Sequence, residues 1–119
     1  MIGRFDMEAF KKAFEAADVD AVLKFYASDV EHIEIDADSP PKAPRTSGVD
    51  FLRSAIGGAT EAGIKFRMDN AVVGDDRVAC TITVELPDGR WLLSNTIYDL
   101  KGGKITRQLD IQVMDPEPH

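Results

Sequence analysis

Cysteine, histidine and basic charge are all scarce in this chain, and each shortage narrows what it can be. Cys80 is the single cysteine, which excludes an internal disulfide and suits a reducing, cytoplasmic compartment. It lies in a strand-like run with Val78, Ile82 and Val84, where a small core residue is expected rather than a nucleophile. Fourteen Lys and Arg stand against 21 Asp and Glu, a formal net charge of −7. Nucleic acid and anionic membrane surfaces are therefore repelled at long range, and neither is expected as a partner. No run reaches the roughly 18 apolar residues of a membrane span, and Met1 to Asp6 lacks the apolar core of a secretory signal. A Gly-rich phosphate loop, a Ser-His-Asp order and a nucleophile elbow are likewise missing. The second histidine is the terminal His119, so a two-histidine metal triad is not available, and no metal or other cofactor is expected.

What remains is an ordinary globular composition, 44% hydrophobic and 29% charged over 119 residues. A chain of that size buries roughly two thirds of its unfolded surface around one core. The reading is a single domain over residues 1–119, with a core from about 5 to 114 and a frayed tail from 115 to 119. Phe5, Ala9, Phe10, Ala13, Phe14 and Ala17 recur at helical spacing behind Asp6, a candidate N-cap. A second short helix, capped by Asp18 or Asp20, carries Val22, Leu23 and Phe25 and ends at Tyr26. Pro40, Pro41 and Pro44 stiffen a loop from Ala37 to Thr46. Ser47 with Asp50 resembles a capping box for a helix bearing Phe51, Leu52, Ala55 and Ile56, which Gly57 and Gly58 weaken or end. Four strands follow, Ile64 to Val73, Val78 to Leu86, Arg90 to Leu100 and Lys104 to Met114, separated by Gly- and Asp-containing turns. Helices followed by an antiparallel meander predict an α+β domain with helices across one face of a curved sheet.

Two stretches alternate cleanly. From Val30 to Asp36, the side chains of His32, Glu34 and Asp36 share one face and Ile33 and Ile35 the other. From Lys104 to Val113, Thr106, Gln108, Asp110 and Gln112 oppose Ile105, Leu109, Ile111 and Val113, with Arg107 breaking the apolar side. Two outward polar faces are merely solvated. Two inward ones form a site able to bind a small molecule and move a proton.

Ala17-Asp18-Val19-Asp20-Ala21-Val22, Phe25-Tyr26-Ala27-Ser28-Asp29-Val30, the Pro40 to Pro44 loop, Gly48 with its helix and Gly102-Gly103-Lys104-Ile105-Thr106 resemble the SnoaL-like branch of the nuclear transport factor 2-like superfamily. The likeness spans about Phe5 to Met114. It implies a cone-shaped, cystatin-like α+β fold, shared with ketosteroid isomerase, limonene epoxide hydrolase and polyketide cyclases. Three N-terminal helices cover the concave face of a mixed, largely antiparallel sheet. It also implies that the concave face lines a ligand pocket and that the convex face packs against a second copy. Glu34 falls where isomerase-like members carry their carboxylate base, and Asp110 where hydrolase-like members carry the last aspartate of an Asp-Arg-Asp set. The departures matter equally. Phe10 and Thr96 occupy the approximate places of the isomerase oxyanion donors, and the Arg90 strand lacks the Arg-x-Asp pair, so neither chemistry transfers whole.

The expected site therefore has His32, Asp110 and Glu34 as candidate acid/base residues, and Tyr26, Asp36, Thr96, Gln108 and Gln112 as ligand-binding residues. Imidazole titrates near neutrality, and a neighbouring carboxylate orients it. Glu34, two residues along the same face, is the carboxylate expected beside His32. The bland alternatives stay open: a structural histidine hydrogen-bonded to Glu34, an Asp36 capping loop backbone, and a Tyr26 packed in the core. The expected function is binding of a small molecule, with isomerisation, cyclisation or hydration. The rival is a non-catalytic ligand-binding or scaffold module. A homodimer through the convex sheet face is expected in either case.

Overall fold

The computed structural model describes residues 5–37 and 46–118. The prolines of the expected stiff loop and His119 lie outside the described residues. Helix α1 (Met7–Glu15) begins as expected at Asp6, whose carboxylate accepts from the Ala9 N–H at 3.1 Å. Asp18 caps α2 (Val19–Leu23) in the same way through the Ala21 N–H. Strand β1 (Tyr26–Ile35) follows, then the two-residue β2 (Thr46–Ser47), α3 (Asp50–Ile56) and a short α4 (Ala59–Ala62). The meander is β3 (Lys65–Val73), β4 (Arg77–Glu85), β5 (Trp91–Lys101) and β6 (Lys104–Asp115).

These strands form one sheet in the order β2-β1-β6-β5-β4-β3. Among the described strands β1 and β6 alone run parallel; their separation in sequence leaves room for the crossover that parallel pairing needs. Helices α1, α2 and α3 cover one face, where Phe10, Phe14, Val22, Leu52 and Ile56 meet Met68, Val78, Ile82, Tyr98 and Ile105. Phe10 is fully buried and packs edge-on against Phe5, Phe25 and Tyr98. Each such side chain contributes about 1.5–3 kcal/mol through burial.

Five local expectations need correction. Tyr26 does not end the second helix; it opens β1 opposite Ile105, because Phe25 already bonds back to Val22 and closes the helix. Ser47 does not cap α3, whose N-cap is Val49; it pairs with Glu31 across the sheet edge instead. A fourth helix, α4, follows Gly58, which adopts the left-handed φ of 77° that glycine tolerates. Ile105 belongs to the core and not to an outer apolar strip. Thr106 is an extra residue between the pairs Leu100↔Ile105 and Asp99↔Arg107, so a bulge turns Ile105 inward and Arg107 outward. The strand also reaches Asp115, which pairs with Trp91, one residue into the tail expected to fray.

Candidate active site at the β1–β6 junction

The parallel register sets His32 beside Gln108 and Glu34 beside Asp110, and the antiparallel β5–β6 register adds Tyr98, Thr96 and Ser94 opposite Gln108, Asp110 and Gln112. Three rows of polar side chains thus converge on the helix-covered face. Cross-strand neighbours lie about 5 Å apart and diagonal ones about 7–8 Å, close enough for side chains to bond.

Asp110 is the hub. Its Oδ2 lies 2.7 Å from His32 Nε2, Thr96 Oγ1 donates to Oδ1 at 2.8 Å, and Gln108 Nε2 stands 3.2 and 3.1 Å from the two oxygens. Behind Gln108, the Tyr26 hydroxyl donates to its Oε1. That bond orients the amide, turning its NH2 toward the carboxylate. Ser94 and Thr96 hydroxyls are 2.9 Å apart, and Gln112 Nε2 donates to Glu34 Oε1 at 2.8 Å. The imidazole of His32 stacks on Phe51 at 4.0 Å with the rings 5° from parallel.

These groups form the polar end of a cavity of about 460 Å³. Apart from Thr46 and Ser54 its remaining wall is apolar, with Phe14, Phe51, Leu52, Phe66, Ile82 and Leu92 among the lining side chains. A mostly apolar cleft with a few convergent polar groups is the usual form of a small-molecule site. Behind it, burial pushes the Tyr26 and Tyr98 hydroxyls well above their ordinary value near 10, and the Asp110 charge adds to this. Burial likewise drives the Cys80 thiol up to about 12, which leaves it protonated and inert.

The sequence expectations distribute unevenly over this geometry. His32, Glu34, Gln108, Asp110 and Gln112 all line the cavity. Tyr26 and Thr96 stand behind that wall, each bonded to a residue that lines it. Asp36 lies beyond the last residue of β1 and off the wall. The carboxylate bonded to His32 is Asp110 and not Glu34, since the parallel register brings the two strands closer at this level than two steps along one strand. Phe51 and Ser94 line the cavity unforeseen. The signal for Ser94 is its two-residue spacing from Thr96 on one strand face; for Phe51 no local pattern tells cavity wall from core.

The fold, an open mixed sheet with helices on one face, is that of nuclear transport factor 2-like proteins. The chain belongs to the SnoaL-like domain family, whose profile matches residues 7–108. Among solved structures it is similar to a nuclear transport factor 2-like protein of unknown function from Mesorhizobium loti, with TM-score 0.72, 19% identity and coverage of 89% of this chain and 86% of that one. A candidate ketosteroid isomerase from Kribbella flavida gives TM-score 0.71 at 16% identity, covering 94% and 78%. A candidate polyketide cyclase from Sinorhizobium meliloti gives 0.62 at 19% identity, covering 86% and 89%. At these identities the likeness is one of fold. No curated protein matches the chain.

Proposed function

We propose that this SnoaL-like protein binds a small, largely apolar molecule in the cleft and moves a proton on it through the His32–Asp110 pair. The observation that carries this reading is the number of donors on one buried carboxylate at the cavity wall: Thr96, Gln108 and His32 all converge on Asp110. Such a carboxylate is held in one rotamer and acts as an acceptor. Neutral His32 then keeps its proton on Nε2, facing Asp110, and its lone pair on Nδ1. The pair can take a proton from a carbon next to a carbonyl, or from a hydroxyl, and return it elsewhere on the same molecule. Isomerisation, cyclisation and hydration all need this step. Glu34, held by Gln112, is a second acceptor at the mouth.

The test is native mass spectrometry of the purified protein to identify a retained ligand, followed by prolonged incubation with it. Conversion that falls about 100-fold or more in both His32→Ala and Asp110→Asn supports the roles. Unchanged turnover in both variants overturns them. A non-catalytic binding module is the second reading. It is favoured by the engagement of the Thr96, Gln108 and Gln112 donors within the protein, which leaves them committed before any ligand arrives. Release of the retained ligand unaltered selects that reading.

A further inference from the structure

We infer that His32, Glu34 and Asp110 form a binding site for one first-row divalent cation at the polar end of the cavity. Each residue offers one ligand atom, and the three atoms all lie within 4.8 Å of one another. Metal–ligand bonds to imidazole and carboxylate are about 2.0–2.2 Å, so two ligands at right angles stand about 3 Å apart and opposite ones about 4 Å. The 2.7 Å between His32 Nε2 and Asp110 Oδ2 opens to that value by a few tenths of an ångström. Glu34 is exposed and bonded through Oε1 to Gln112, so a small rotation about that bond closes the third contact.

The groups around the triad match what a cation requires. Thr96 and Gln108 fix Asp110, and Gln112 fixes Glu34, leaving further carboxylate lone pairs for a metal; outer-shell bonds of this kind hold ligands in place. The cavity end carries two carboxylates, and no Lys or Arg among the described residues lines it to balance them. A divalent cation takes the place of the proton shared by His32 and Asp110 and balances both acids. Three protein ligands leave the cavity side of the ion open to water or to a ligand oxygen, the arrangement of a reactive rather than a structural site. Counting histidines along one strand misses this set because its third member comes from β6. The mixed imidazole and carboxylate donors suit Zn2+ or Mn2+.

The inference does not rest on the acid/base reading and is tested without any substrate. Chelator-treated full-length protein is titrated calorimetrically with Zn2+ and, separately, Mn2+. The expected result is one site per chain for at least one of the two ions. His32→Ala and Glu34→Gln should each weaken it tenfold or more. His119→Ala should leave it unchanged. Glu34 is exposed, so its variant keeps the fold, and the thermal midpoint verifies this for both. Absence of a stoichiometric site for either ion, or affinity that follows His119 instead of His32, overturns the inference. Either result leaves the proton-transfer roles to be judged on turnover alone.

Discussion

Tyr26 and Tyr98 are both sealed from solvent, yet their hydroxyls stand in opposite situations. Tyr26 donates to Gln108 Oε1, whereas the Tyr98 hydroxyl has only the Tyr26 hydroxyl and the Cys80 thiol beside it and is not well aligned for a hydrogen bond to either. Removing the first leaves a buried amide oxygen unsatisfied and frees the amide that steadies Asp110. Tyr26→Phe should cost about 1–3 kcal/mol in urea unfolding, while Tyr98→Phe should be within about 0.5 kcal/mol of neutral or stabilising. Equal losses in the two variants would show that Gln108 is held by other means. This contrast also marks how far residues speak for themselves. The polar faces His32-x-Glu34 and Gln108-x-Asp110-x-Gln112 are legible because strand side chains alternate. The bond from His32 to Asp110 is not, because it depends on a register between segments 78 positions apart.

At the level of elements, α3 carries much of the cavity wall, including Phe51, Leu52 and Ile56. Its end is set by Gly57. A Cβ there would stand 2.4 Å from the Arg53 carbonyl oxygen, a contact that forces backbone to move. Gly57→Ala should therefore cost about 1–3 kcal/mol, as overpacking does, and shift the His32 and Phe51 resonances through the stacked pair. Unchanged stability and spectra would mean that the turn relaxes locally. The stop at Gly57 is legible in the sequence, as are the cap at Asp6 and all four meander strands, while the choice of Asp18 over Asp20 as the second cap is made only by the fold. Two features are hidden for physical reasons. The Thr106 bulge inserts one residue into an otherwise regular alternation, and only the partner strand reveals the extra residue. The start of β1 at Tyr26 is masked because Val22, Phe25 and Tyr26 fit a helical stripe equally well.

For the molecule as a whole, alkali tests how tightly the core behind the site is closed. Cys80 rises to about 12 in the fold from an ordinary value near 9.0, and both tyrosines lie well above 10. In all three the fold favours the protonated form. Their contribution is complete below the unfolded values and is lost as pH climbs, from about 9 for the thiol and about 10 for the phenols. Each group removes about 1.4 kcal/mol per pH unit within its window. Chemical denaturation should show a stability plateau to about pH 9 and a steepening fall above pH 10. A flat profile to pH 11 would mean that these groups are hydrated in the native state.

The opposite face of the sheet carries a different demand. Leu109, Ile111 and Val113 lie on it next to Ile97, Asn95 and Leu93, and Ile111 and Val113 are 46% and 60% exposed. An apolar strip along two paired strands, interrupted by Asn95 and bounded at one end by Arg107, is a surface that association covers. We propose that a second copy covers it through a twofold contact, in which each strip meets its own image. Light scattering at tens of micromolar should then report twice the 13.1 kDa chain mass. Ile111→Glu and Val113→Glu should shift the species to monomer. Because adjacent strand residues point to opposite faces, neither change touches Asp110 or Gln112 directly. Ligand or metal binding should survive in the monomer if the cavity is complete within one chain. A wild-type monomer at that concentration would leave the strip without a partner and remove the dimer from the account.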